Sequence, residues 1–108
     1  MFFHVVMFSW RPGTTADDVK VAARALKDLF AETSGLAGFD MGTDEDLQSG
    51  RFGAELGLVS EKADFCVVMR FENAESWHAY NADQRHREVV RQSVGRLLAR
   101  RISVQFQA

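Results

Sequence analysis

The stretch Phe2-Phe3-His4-Val5-Val6-Met7-Phe8-Ser9-Trp10 is aromatic or β-branched almost throughout and stops at Arg11-Pro12-Gly13. A run of this length closed by a Pro-Gly turn reads as a β-strand rather than a helix. Successive strand side chains point to opposite faces, so Phe2, His4, Val6, Phe8 and Trp10 share one face and Phe3, Val5, Met7 and Ser9 the other. Both faces are largely apolar. Such a strand has to be covered twice, and whatever the rest of the chain builds must supply that cover.

The segment Ala63 to Phe71 makes the same demand, with Phe65, Val67, Met69 and Phe71 on one parity and Cys66, Val68 and Arg70 on the other. Between these strands, Thr14 or Thr15 is placed to cap a helix with Asp17 and Asp18 in its first turn. Val19, Ala22, Ala23, Leu26, Leu29 and Phe30 then form one apolar stripe. Leu36 to Asp44 reads as a further strand through Phe39 and Met41, although Gly38 and Gly42 interrupt its pattern. From Glu45 to Lys62 no period survives, and the stretch is expected to be an irregular connection of the kind that often lines a site.

Asn73 is a suitable N-cap for a short helix running through Trp77 and Tyr80, and Asp83 caps the next. The second helix turns His86, Val89, Val90, Val94 and Leu97 inward. Ile102-Ser103-Val104-Gln105-Phe106 alternates cleanly, which predicts a last strand with its apolar side buried and its polar side in water.

Strand, helix, strand, strand, two short helices, strand is the order of an α+β domain with helices on one face of an antiparallel sheet. At 108 residues, a single domain over 1–108 is expected, and a chain of this size buries only about two thirds of its unfolded surface. The helices can cover one face of the sheet. The other is apolar in the first and third strands, so a second copy is expected to cover it, giving a symmetric homodimer.

Thirteen basic against fifteen acidic side chains give a formal charge of −2, which creates no field for gripping nucleic acid. Cys66 is the sole cysteine, so neither an intrachain disulfide nor a thiolate cage is available. That fits a reducing, cytoplasmic setting. No basic, apolar leader and no apolar run of membrane-spanning length occurs, so no membrane partner is expected.

These segments together resemble the stress-responsive A/B barrel domain family. The likeness lies in Phe3-His4-Val5-Val6-Met7-Phe8-Ser9-Trp10-Arg11-Pro12-Gly13-Thr14, in Phe65 to Phe71 followed by Glu72-Asn73-Ala74-Glu75-Ser76-Trp77-His78-Ala79-Tyr80, and in Asp83-Gln84-Arg85-His86. Ser9 stands where a basic residue is more usual, and the last motif keeps the final histidine of a His-Pro-x-His run while lacking the first histidine and the proline. The resemblance implies a ferredoxin-like, four-stranded antiparallel sheet paired into a dimeric α/β barrel, and a link to stress response. The family includes a plant polyketide cyclase, and its functional His, Tyr and His resemble His4, Tyr80 and His86.

His4 sits among Phe2, Val6 and Phe8, where an imidazole needs a polar partner. If the helices cover that face, Tyr80 and His86 converge on it. A histidine exchanges protons near neutrality, while a phenol stays protonated and can donate to a carbonyl or enolate oxygen. The trio therefore suits enolisation next to a carbonyl, with no cofactor required. The alternative is a hydrogen-bonded cluster that fixes helix against sheet in a noncatalytic dimer that binds an apolar ligand. Phe8, Trp10 and Trp77 are the candidate ligand-lining aromatics. No metal site is expected, because the three histidines have no ligand spacing. His78 is expected on the surface, Cys66 as a small buried filler, and Arg96, Arg100 and Arg101 in water beyond the last helix.

Overall fold

The computed structural model describes residues 1–47, 50–59 and 61–108. β1 (Phe2–Trp10) lies in the interior of a four-stranded sheet of order β2-β3-β1-β4, with β2 (Leu36–Thr43), β3 (Phe65–Phe71) and β4 (Leu98–Gln107). All three pairings are antiparallel. The arrangement follows from the side chains: the strands that are apolar on both parities take the two central positions, where both edges are hydrogen-bonded.

α1 (Ala16–Ala31) begins at a capping box in which Thr15 accepts from the Asp18 amide and the Asp18 carboxylate accepts from the Thr15 amide. Its Ala22, Leu26, Leu29 and Phe30 are buried with Val6, Phe8, Phe65, Val67, Met69 and Phe71. α3 (Ala74–Ala82) starts at Asn73, which accepts from the Ser76 amide, and α4 (Gln84–Gln92) starts at Asp83, which accepts from the His86 amide. The helical stripe expected to run on to Leu97 breaks after Gln92, and Gly95–Leu97 forms a separate 3-10 turn, so Val94 enters the core from outside α4. Helices α1, α3 and α4 lie on one side of the sheet, which leaves a slab only 18 Å thick.

Two further expectations change. The stretch 45–62 contains a short helix, α2 (Gly50–Glu55), whose exposed Phe52 gives it no apolar stripe to reveal it in the sequence. Gln48, Ser49 and Ser60 lie outside the described residues. In β4 the apolar parity is not buried in the chain: Ile102, Val104 and Phe106 stand opposite Met7, Val5 and Phe3 on the open face and are 44%, 54% and 44% exposed. The register with β1 forces this, because pairing Gln105 with His4 turns the polar side of β4 toward the helices. Phe3 and Phe106 stack with ring centroids 5.0 Å apart. The open face therefore carries a continuous apolar strip across β1 and β4, extended by Val68 and the half-buried Cys66 on β3. Burial raises the Cys66 thiol pKa.

Candidate functional site

Four elements deliver the site. β1 places His4 on the helix-facing parity with 6% of its surface exposed. β4 sets Gln105 directly opposite, with its Nε2 2.9 Å from His4 Nδ1. An amide nitrogen has only protons to offer, so Nδ1 is the acceptor and the neutral ring carries its proton on Nε2. The end of α3 supplies Tyr80, packed on Phe71 at 5.5 Å between ring centroids. The first turn of α4 supplies His86, whose ring lies 5.1 Å from that of Tyr80.

A cleft of about 300 Å³ opens between these elements, lined by His4, Tyr80, His86, Asn81, Val90 and the arginines 87, 91 and 101. A narrow apolar extension of about 50 Å³ continues from His4 and Tyr80 toward Val6, Phe8, Leu26 and Phe30. Burial, assisted by the charge of Arg101, lowers the His4 pKa to about 4. Burial pushes that of Tyr80 up to about 12, with Arg101 working in the opposite direction. At neutral pH the cleft thus holds an uncharged imidazole and an un-ionised phenol. The Nδ1 atom of His86 is buried and has no hydrogen-bond partner among the described residues. No hydrogen bond joins His4, Tyr80 and His86 to one another among those residues. An orphaned nitrogen of this kind costs about 1–3 kcal/mol, which a ligand atom would relieve.

The ligand-lining candidates separate. Phe8 lines the apolar extension. Trp77 packs on the His4 ring at 5.8 Å and does not line the cleft, and its Nε1 is buried without a partner among the described residues. Trp10 lies at the far end of β1 on a different hollow of about 730 Å³ beside the start of α1. A further hollow of about 440 Å³ lies on the open face around Met7 and Val68. Neither of these larger hollows collects a histidine or a tyrosine. His78 is exposed, as its place on α3 predicts. No group of three or more His, Cys, Asp or Glu side chains suited to a metal occurs among the described residues.

Gln105, Arg87, Arg91 and Arg101 join the site without having been singled out for it in the sequence. The three arginines expected in water are all exposed, but their surroundings differ: Arg100 pairs with Glu61, Arg96 borders α1 and α4, and Arg101 lines the cleft. The signal was the strict alternation of Arg101, Ser103 and Gln105, which marks one face of a strand but not which side of the sheet it meets.

The family model for the stress responsive A/B barrel domain matches residues 2–108. A Thermobifida fusca protein described as dimeric, ferredoxin-like and of unknown function is 27% identical, with a TM-score of 0.78 over 99% of this chain and 90% of that one. An Arabidopsis thaliana protein at 16% identity superposes with a TM-score of 0.81 over 100% of this chain and 95% of its own. A hydroxynitrile lyase from Passiflora edulis shares the fold at 8% identity, with a TM-score of 0.75 over 97% of this chain and 90% of that one. No curated protein matches the chain. Among the described residues no helix is long and apolar enough to cross a membrane.

Proposed function

Because the chain belongs to the stress responsive A/B barrel domain family, we propose that it acts as a homodimer in which each subunit binds a small carbonyl-containing ligand beside His4, Tyr80 and His86. The observation that carries this reading is the cleft itself. It ends in an apolar recess and presents an un-ionised phenol, a neutral imidazole and a second imidazole with an unsatisfied nitrogen. Few convergent polar groups around an apolar end is the usual make-up of a small-molecule site. The dimer rests on the apolar strip of Phe3, Val5, Met7, Ile102, Val104 and Phe106, which a monomer would leave in water. The Thermobifida fusca relative is described as dimeric.

A second reading, a cofactor-independent acid–base enzyme, is favoured by the ionisation states. Tyr80 and the Nε2–H of His4 are both donors at neutral pH and can hold a carbonyl oxygen as negative charge develops on it. His86 would then take the proton from the adjacent carbon and return it to the enolate, so that no oxidant or reductant is consumed. Ring closure of a β-polyketone, as in a polyketide cyclase, begins with such an enolisation.

The test uses 4-phenylbutan-2-one as probe. Binding moves the His4 and Tyr80 NMR resonances, and unmoved resonances at saturating ketone would refute the ligand site. For the enzyme reading, the protein speeds loss of the ketone's α-proton signal in D2O, and His86→Ala abolishes that acceleration without changing the oligomeric mass. Exchange no faster than in buffer leaves the noncatalytic dimer as the function.

A further inference from the structure

The cleft is not electrically neutral. Guanidinium groups reach it from two elements, Arg87 and Arg91 from α4 and Arg101 from β4, and no carboxylate lines it among the described residues. Elsewhere Arg51, Arg70, Arg85 and Arg100 each pair with an acidic side chain, while Arg11, Arg24 and Arg96 make no ion pair among the described residues. Arg91 is matched too, by Glu88 on its own helix. Arg87 and Arg101 have no carboxylate within ion-pair distance among the described residues.

Both side chains are exposed, and Arg101 is the one that also lines the apolar extension. It stands opposite Phe8 in the β1–β4 ladder, on the same side of β4 as Gln105, and it borders both the cleft and its apolar extension. Its charge acts on both His4 and Tyr80. A positive charge beside two uncharged donors, with no carboxylate lining the cleft among the described residues, is placed to receive an anionic group of a ligand.

We propose that the ligand of this cleft is a carbonyl compound that also carries a carboxylate, with the carboxylate held by Arg101 and drawn in past Arg87 while the carbonyl oxygen meets Tyr80 and His4. The inference rests on reading the cleft as a carbonyl-ligand site, and it adds the charge class. A planar guanidinium fork matches a carboxylate in two parallel hydrogen bonds, and such charge-assisted bonds are among the stronger ones a site can form. The apolar recess toward Phe30 leaves room at the other end for the uncharged part of the molecule.

The experiment compares 4-oxo-4-phenylbutanoate with its methyl ester at pH 7.5 and low salt, reading affinity by calorimetry and contact by the His4 and Tyr80 resonances. The acid is expected to bind about ten-fold or more tighter than the ester, the gain expected of a charge-assisted hydrogen bond. Arg101→Gln should erase that preference and Arg101→Lys should keep part of it, with an unchanged circular-dichroism spectrum and urea midpoint showing that each variant is folded. Equal affinity for acid and ester, with the His4 and Tyr80 resonances shifted by both, overturns carboxylate recognition and leaves the cleft reading standing. A preference that survives Arg101→Gln overturns the role given to Arg101. If neither compound moves those resonances, the cleft reading itself fails.

Discussion

Gln105 stands directly across the β1–β4 ladder from His4 and donates its amide to His4 Nδ1 over 2.9 Å. This single bond between residues near opposite ends of the chain decides what the imidazole can do. With Nδ1 occupied, the neutral ring keeps its proton on Nε2 and acts as a donor rather than a base. Gln105→Glu reverses that arrangement, because a carboxylate accepts from Nδ1–H and favours the charged ring. The expected result is a His4 pKa well above that of the parent protein, read by NMR titration; an unchanged titration would show that Gln105 does not govern the ring.

His4 also makes the fold acid-sensitive. Its pKa is depressed to about 4 in the folded chain, against an ordinary 6.5. Between those values the unfolded chain takes up a proton that the folded one refuses. Stability should therefore be undiminished above pH 6.5 and fall as the pH drops toward 4. His4→Gln should flatten that part of the curve in urea unfolding experiments, and a curve unaltered by the substitution would remove His4 as the cause.

Tyr80 is the only tyrosine in the chain, so tyrosinate absorbance reports it alone. Half-ionisation is expected near pH 12 in the folded protein and near the ordinary 10 in denaturant. The sign is that of a raised acid: the folded chain releases its proton less readily, so stability declines as pH climbs from 10 toward 12. Ionisation near 10 under native conditions would mean that the phenol is wet.

On the open face, Val104→Asp sets a carboxylate opposite Val5 in the strip assigned to the dimer contact. Burying an unpaired charge there is costly enough to separate the subunits. Light scattering should give the single-chain mass of 12.2 kDa for the variant and twice that for the parent. A variant that keeps the double mass places the contact elsewhere.

Gly35 joins α1 to β2 with φ of +76°, and a Cβ there would meet Ser76 Cβ at 2.6 Å. Gly35→Ala should cost about 1–2 kcal/mol from the left-handed backbone alone, and more from the crowding against α3. Equilibrium urea unfolding measures it, and a loss under about 0.5 kcal/mol, within the range of an ordinary surface change, would mean that the turn relaxes.

Much of the architecture was legible in local pattern. Thr15, Asn73 and Asp83 sit where their short polar side chains can accept from backbone amides, and each starts the helix it was expected to start. The alternation of β1 and β3 identified the strands that are apolar on both parities, and these take the two central positions of the sheet. The helix α2 was missed because Gly50–Glu55 is too short to display an apolar period. In the cleft, His4, Tyr80 and His86 were visible as residue types on inward-turned positions, but Gln105 and Arg101 looked like the wet side of a terminal strand.

Which residues face one way along a strand or helix is a local matter, because periods of two and 3.6 are properties of the backbone, and the sequence alone settled it for this protein. Which side of β4 meets the helices is not local. It depends on β4 pairing with β1 in one register, a contact between segments some hundred residues apart, and a shift by one position would have exchanged its two faces. That pairing turned Arg101 and Gln105 toward His4 and left Ile102, Val104 and Phe106 on the open face, so the chemistry of the cleft and the surface left for a partner were decided by the same tertiary choice.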